Sequence, residues 1–142
     1  MAHGIFRQML AAHGLDQLVM VESAGICVPA ERSRPDVRAL RTASARGIDL
    51  SDIRSRQIRQ RDCGKYDYIL VMDNENLRAA RELCTGESAD KVQLLMRFAP
   101  LAERDDVPDP YFSNIAGFER VCDMLETAIL GFIEHIKKND LE

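Results

Sequence analysis

Three short and almost wholly apolar runs, at residues 18–21, 68–72 and 92–96, alternate along the chain with longer segments whose apolar residues recur every three or four positions. A strand with no polar face has to be covered on both sides, which suits a parallel sheet between layers of helix rather than an antiparallel sheet with one face in water. Ile5, Phe6, Met9 and Leu10, with Gly14 behind them, predict a first helix over about 2–13. A second is predicted from about Asp36 to Arg46, ended by Gly47, and a third from Asp73 or Asn74 toward Gly86. Phe118, Val121, Cys122, Leu125, Ile129, Phe132 and Ile136 mark the apolar face of the last. The pattern predicts an α/β fold, a three-layer sandwich around a short parallel sheet. Such a fold ordinarily begins with a strand that feeds the first helix through a ligand-binding loop. No strand stands ahead of the first helix here, so the periodicity predicts that one strand and its loop are lacking at the front.

The 142 residues suit one domain over 1–142, and a hydrophobic content of 46% is enough for a core. A net charge of -4 gives no overall attraction to nucleic acid or to an anionic membrane. The longest apolar run, 128–133, falls far short of the roughly 20 residues that cross a bilayer, and no basic-then-apolar leader opens the chain, so the expected location is cytoplasmic. Charge is uneven: residues 32–61 hold nine arginines against Asp36, Asp49 and Asp52. With no aromatic residue interleaved, that stretch reads as a solvated face, not a nucleic-acid site. Cys27, Cys63, Cys84 and Cys122 form no C-x-x-C pair and have no His-x-x-x-His partner; they read as reduced thiols, with no metal site. His3, His13 and His135 have no carboxylate or cysteine motif beside them and read as surface or packing residues.

The segment Val107-Pro108-Asp109-Pro110-Tyr111-Phe112 carries the most chemistry. Two prolines stiffen the loop around one carboxylate, which suits a general acid, and two rings follow that can flank an aromatic substrate. From these residues alone the favoured reading is the plainer one, a proline-rich turn with a solvated Asp and two rings folded onto the core. Seven segments in register then identify a resemblance: Met1-Ala2-His3-Gly4-Ile5-Phe6-Arg7, Glu22-Ser23-Ala24-Gly25, Pro35-Asp36-Val37-Arg38, Arg46-Gly47-Ile48-Asp49-Leu50-Ser51, Arg56-Gln57-Ile58, Tyr66-Asp67-Tyr68-Ile69-Leu70-Val71-Met72-Asp73 and Asp109-Pro110-Tyr111. Together they resemble the low-molecular-weight protein tyrosine phosphatases along the whole chain.

The resemblance implies that family's parallel sheet and hydrolysis of a phosphotyrosine protein or aryl phosphate through a cysteinyl-phosphate, with no cofactor. It implies Asp109 as general acid and then base, Tyr111 and Phe112 as the aromatic pair at the substrate mouth, and Ser23 as a support of the phosphate loop. Ile53 stands where many members place a histidine in the same support network, and isoleucine donates no hydrogen bond. Asp36 and Asp73 are read as structural. The family's nucleophile belongs to a C-x5-R-S loop whose amides and arginine hold the phosphoryl oxygens. Met1-Ala2-His3-Gly4 matches the segment just after that loop, so the resemblance implies that the first strand and the loop are absent from these residues. Six positions beyond the four cysteines stand Ser33, Ile69, Asp90 and Ala128, none of them arginine. The expectation is a chain without turnover. The alternatives are a non-catalytic binding or scaffold protein of the same descent and, ranked last, an arsenate reductase, which needs closely spaced redox cysteines. The missing central strand further predicts two unpaired inner edges, with a second copy of the chain filling the gap as one outcome, and Leu141-Glu142 as a possible tag remnant.

Overall fold

The computed structural model describes residues 1–99 and 115–141. Asp109, Tyr111, Phe112 and Glu142 lie outside the described residues, as does the side chain of Phe118. In chain order the elements are α1 (Ala2–Ala12), α2 (Val37–Ala45), α3 (Gln60–Lys65), β1 (Ile69–Val71), α4 (Asn74–Leu83), β2 (Val92–Leu94) and α5 (Ile115–Asn139), with 3-10 turns at Gly86–Lys91 and Leu95–Phe98.

Local chemistry sets the ends of these elements. Gly14 closes α1 at φ +70°, a backbone conformation that a Cβ disfavours. Asp36 caps α2 by accepting from the Arg38 amide at 2.7 Å, and Asp73 caps α4 by accepting from the Asn76 amide at 2.7 Å. α3 is not foreshadowed by any apolar period; its start is fixed by Asp62, whose carboxylate accepts from the Arg59 amide at 2.8 Å.

β1 and β2 pair in parallel, Ile69 opposite Val92 and Val71 opposite Leu94. Side chains alternate between two layers, as the pleat requires. Tyr68, Leu70 and Met72 pack against the larger core, built on Ile5, Phe6 and Leu10 of α1, Ala39 and Ala43 of α2, and Val121, Cys122, Leu125, Ile129, Phe132, Ile133 and Ile136 of α5. Ile69 and Val71 face a smaller cluster with Leu77, Ala80, Val92 and Leu94. α5 lies so close to Leu95–Phe98 that a Cβ on Gly131 would stand 1.8 Å from the Phe98 carbonyl oxygen; only glycine fits there. Arg46, just past α2, ties that helix to α5 through Glu119 at 2.6 Å, Asp123 at 2.9 Å and Glu126 at 3.2 Å.

Three expectations need correction. Residues 18–21 are not a strand: a turn occupies 16–18 and the chain beyond it has no ladder partner among the described residues, with Leu18 and Met20 68% and 64% exposed. The run 92–96 is a strand only to Leu94, after which Leu95 and Met96 enter a 3-10 turn. The cysteines are not all thiols. Folding brings α3 against the end of α4, which sets the Cα atoms of Cys63 and Cys84 5.4 Å apart, within bridging range, and the two form a disulfide. Cys27 is free and exposed, Cys122 free and buried.

Candidate functional site

Residues 18–24 and 66–72 form opposite walls of one cleft of about 760 Å³, floored by Phe6, Leu95, Phe132 and Ile136. On one wall lies the edge of β1 that no described strand pairs, since β2 occupies the other edge. On the other, the amides of Met20, Val21, Glu22, Ser23 and Ala24 make no backbone hydrogen bond to any described residue. Pairing resumes at Gly25, whose amide donates to the Arg56 carbonyl at 2.9 Å and whose carbonyl accepts from the Ile58 amide at 3.0 Å. Four of those five residues are exposed, so their backbone groups are open to solvent rather than held in a ladder.

Side chains hold residues 22 and 23 in place where the backbone does not. Glu22 accepts from the Tyr66 hydroxyl and lies 3.5 Å from Arg56, which in turn pairs with Asp62 at 2.9 Å. Burial and the Glu22 carboxylate together push the Tyr66 hydroxyl up to about 12. Ser23, anticipated as a support residue, has its hydroxyl 2.8 Å from Nδ1 of His3 in the first turn of α1. Burial, and after it the Arg7 guanidinium, holds the His3 imidazolium below its ordinary range. Arg7 itself grips Asp52 with two bonds of 2.7 and 2.9 Å and reaches the Asp49 carbonyl at 3.1 Å; that guanidinium holds the Asp52 carboxyl at about 2.

A second, smaller cavity of about 250 Å³ lies on the far side of Ser23, lined among others by Met1, Gly25, Arg34, Ile53 and Arg54. Ser23 lines both cavities, while Ile53 turns toward the larger core as a half-buried aliphatic. The loop between them is pinned by Gln57, whose Oε1 accepts from the Val28 amide at 2.8 Å and whose Nε2 donates to the Ile26 carbonyl. Arg32 sits at φ +67° there, its amide donating to the Ser55 carbonyl at 2.6 Å.

Several arginines of the basic stretch are taken up internally: Arg38 by Asp36, Arg46 by three carboxylates of α5, Arg56 by Asp62 and Arg59 by Glu31. The one histidine that meets the anticipated Ser23 is one the sequence pattern assigns to surface or packing. A 20-residue separation hides that contact; the only hint is that Ser23 and Ile53 leave a hydroxyl beside a position with no donor. No group of three or more His, Cys, Asp or Glu side chains suited to a metal occurs among the described residues, and no helix among them is long and apolar enough to cross a membrane.

The fold and the sequence both have counterparts. A low molecular weight protein-tyrosine-phosphatase of Streptomyces coelicolor is 35% identical over 141 residues, 97% of this chain and 85% of that protein. Low molecular weight protein-tyrosine-phosphatase YfkJ of Bacillus subtilis is 29% identical over 138 residues, 97% of this chain and 87% of its own. The crystal structure of YfkJ matches with a TM-score of 0.91 at 28% identity, over 98% of this chain and 86% of that one. A protein tyrosine phosphatase from Entamoeba histolytica, crystallised with Hepes in the active site, matches with a TM-score of 0.92 at 29% identity, over 96% and 87%. The sequence also fits the family model of low molecular weight phosphotyrosine protein phosphatases over residues 1–141. On that match, and on an α/β architecture shared with solved members, the chain belongs to the low molecular weight phosphotyrosine protein phosphatases, a family of phosphotyrosine hydrolysis.

Proposed function

We propose that these 142 residues carry the acid, the aromatic mouth and the supporting frame of a phosphotyrosine phosphatase but no nucleophile, and therefore do not turn over by themselves. Asp109 protonates the tyrosine leaving oxygen and then takes a proton from the attacking water; Tyr111 and Phe112 flank the aromatic ring of a phosphotyrosine protein or aryl phosphate; Ser23 supports the phosphate-binding loop. The hydrolysis itself would need a thiolate that takes the phosphoryl group and returns it to water, inside a ring of amides that stabilises the charge.

One observation carries the inactive reading: none of the four cysteines is built for that task. Cys63 and Cys84 are bonded to each other. Cys122 is fully buried, 3.0 Å from the Met1 sulfur, with its thiol pushed up by burial. Cys27 is exposed on a loop, ten residues ahead of α2, and none of the four has an arginine six positions on. With no C-x5-R-S motif among these residues, Asp109 has no phosphoryl transfer to serve.

The test is hydrolysis of p-nitrophenyl phosphate. The 142-residue chain is expected to match buffer. The same chain preceded by a strand and a C-x5-R-S-P loop is expected to hydrolyse it, and Asp109→Asn in that longer polypeptide to lower kcat by about 10² or more. Hydrolysis by the 142-residue chain that survives replacement of all four cysteines by serine would overturn the reading.

A further inference from the structure

We propose that His3 is a positioning residue of this site: from the first turn of α1 its Nδ1–H donates to the Ser23 hydroxyl, supplying the donor that Ile53 does not. The inference rests on the reading of Ser23 as a support of the phosphate loop, and it assigns a role to a residue of α1 that the loop itself does not contain.

The geometry has three parts. First, His3 Nδ1 and Ser23 Oγ are 2.8 Å apart, an ordinary hydrogen-bond distance. Second, Ser23 forms part of the wall of both cavities, with His3 lining the larger and Ile53 the smaller. A hydroxyl has one proton to give and lone pairs to receive with. If it receives from His3, its own proton remains available for an acceptor in the smaller cavity; if it donates to His3, that proton is spent. Third, Ile53 is apolar and half-buried against the core, so it offers the hydroxyl nothing. A donor on the His3 side is the arrangement that leaves Ser23 able to hold a loop.

His3 is also anchored well enough to do this. It belongs to a helix whose next residues, Gly4, Ile5 and Phe6, are buried. The charged groups around the ring are Arg7 on its own helix, Asp52 from the turn beyond α2, Glu22 from the segment that carries Ser23, and the amino group of Met1. Burial and Arg7 favour the neutral ring, so near pH 7 the question becomes which nitrogen carries the proton.

Nitrogen-15 NMR of the 142-residue chain answers it. The expected result is a protonated Nδ1 and a bare Nε2 on neutral His3, with Ser23→Ala moving the ring to the Nε2–H form. A bare Nδ1 in the unmodified chain would overturn the proposal, since Ser23 would then be the donor. The second arm uses the longer polypeptide that carries the strand and loop. There His3→Gln is expected to lower kcat about tenfold with KM within twofold, and Ile53→His in the same background to restore most of the loss. A loss that Ile53→His leaves unrepaired, or a fall in stability with no change in kcat, overturns the positioning role. If the longer polypeptide with native His3 fails to hydrolyse at all, the functional reading fails instead, and the tautomer of His3 in the 142-residue chain decides the inference alone.

Discussion

Residues 69–71 and residues 19–24 both begin with aliphatic side chains and both border the same cleft, yet they are held very differently. β1 is paired residue for residue with β2, Val71 is 7% exposed, and its side chains alternate between α5 on one side and α4 on the other. Residues 19–24 have no ladder to any described strand, Met20 is 64% exposed, and beside the packing of Val19 and Val21 on the larger core they are held by side-chain ties: His3 to Ser23, and Tyr66 and Arg56 to Glu22. An apolar run becomes a buried strand only where a neighbouring edge takes its amides and a layer covers each face. One of the two stretches has both; the other borders the cleft of about 760 Å³ without a ladder to any described strand.

The contrast is broken most directly by equal truncation on its two sides. Ile129 is 0% exposed at the centre of the core under the sheet, so Ile129→Ala is expected to cost about 3–4 kcal/mol from lost burial and an unfilled cavity. Met20→Ala, on the unpaired side, is expected to change stability by no more than about 0.5 kcal/mol. Urea unfolding of both variants measures the difference; a cost above about 2 kcal/mol at Met20 would mean that residues 19–24 are packed in solution as tightly as β1.

The same contrast explains what was legible in the sequence. α1 could be read because Ile5, Phe6 and Leu10 share a stripe and Gly14 stops it, and β1 because its neighbours in sequence supply both the cap at Asp73 and the helix that covers it. Residues 18–21 have the same composition as a strand, but pairing is a property of the partner and lies outside the run itself. α3 went unread because Gln60–Lys65 has no apolar period, only Asp62 reaching back to the Arg59 amide. The expectation for Ser23 comes through resemblance, whereas its contact with His3 is not legible, because a contact across 20 residues leaves no spacing to detect. Asp109, Tyr111 and Phe112 rest on the sequence alone, lying outside the described residues.

The disulfide sharpens the comparison from the paired side. Cys63 and Cys84 close a loop with a sequence separation of 21 that contains β1 and all of α4. By loop-closure entropy such a bridge contributes about 3 kcal/mol. Melting with and without a thiol reductant is expected to show a clear drop in Tm on reduction, with early loss of amide protection in β1 and β2. An unchanged Tm would return the two cysteines to the free-thiol state that their spacing suggests, and would leave the smaller cluster of Val71, Leu77, Ala80, Val92 and Leu94 holding the strand pair by packing alone.

The smallest effect belongs to the tie between α1 and the unpaired segment. Folding holds His3 below its ordinary value of 6.5, chiefly through burial and then through Arg7, so in the window just below 6.5 the unfolded chain binds more protons than the folded one. The contribution is therefore fully present above that value and is lost as pH falls through it, the opposite order to a histidine stabilised as a cation. Because the ring is only part-buried and screened, the expected change is a fall of about 1–2 °C in Tm between about pH 7.5 and 5.5 that His3→Gln removes. Comparing the two chains at both pH values isolates His3, since they differ at that residue alone. A Tm difference that instead grows in favour of the native chain on acidification would mean that His3 is held as a cation by Asp52 and Glu22, and that the segment bearing Ser23 is fastened to α1 by charge rather than by a neutral donor.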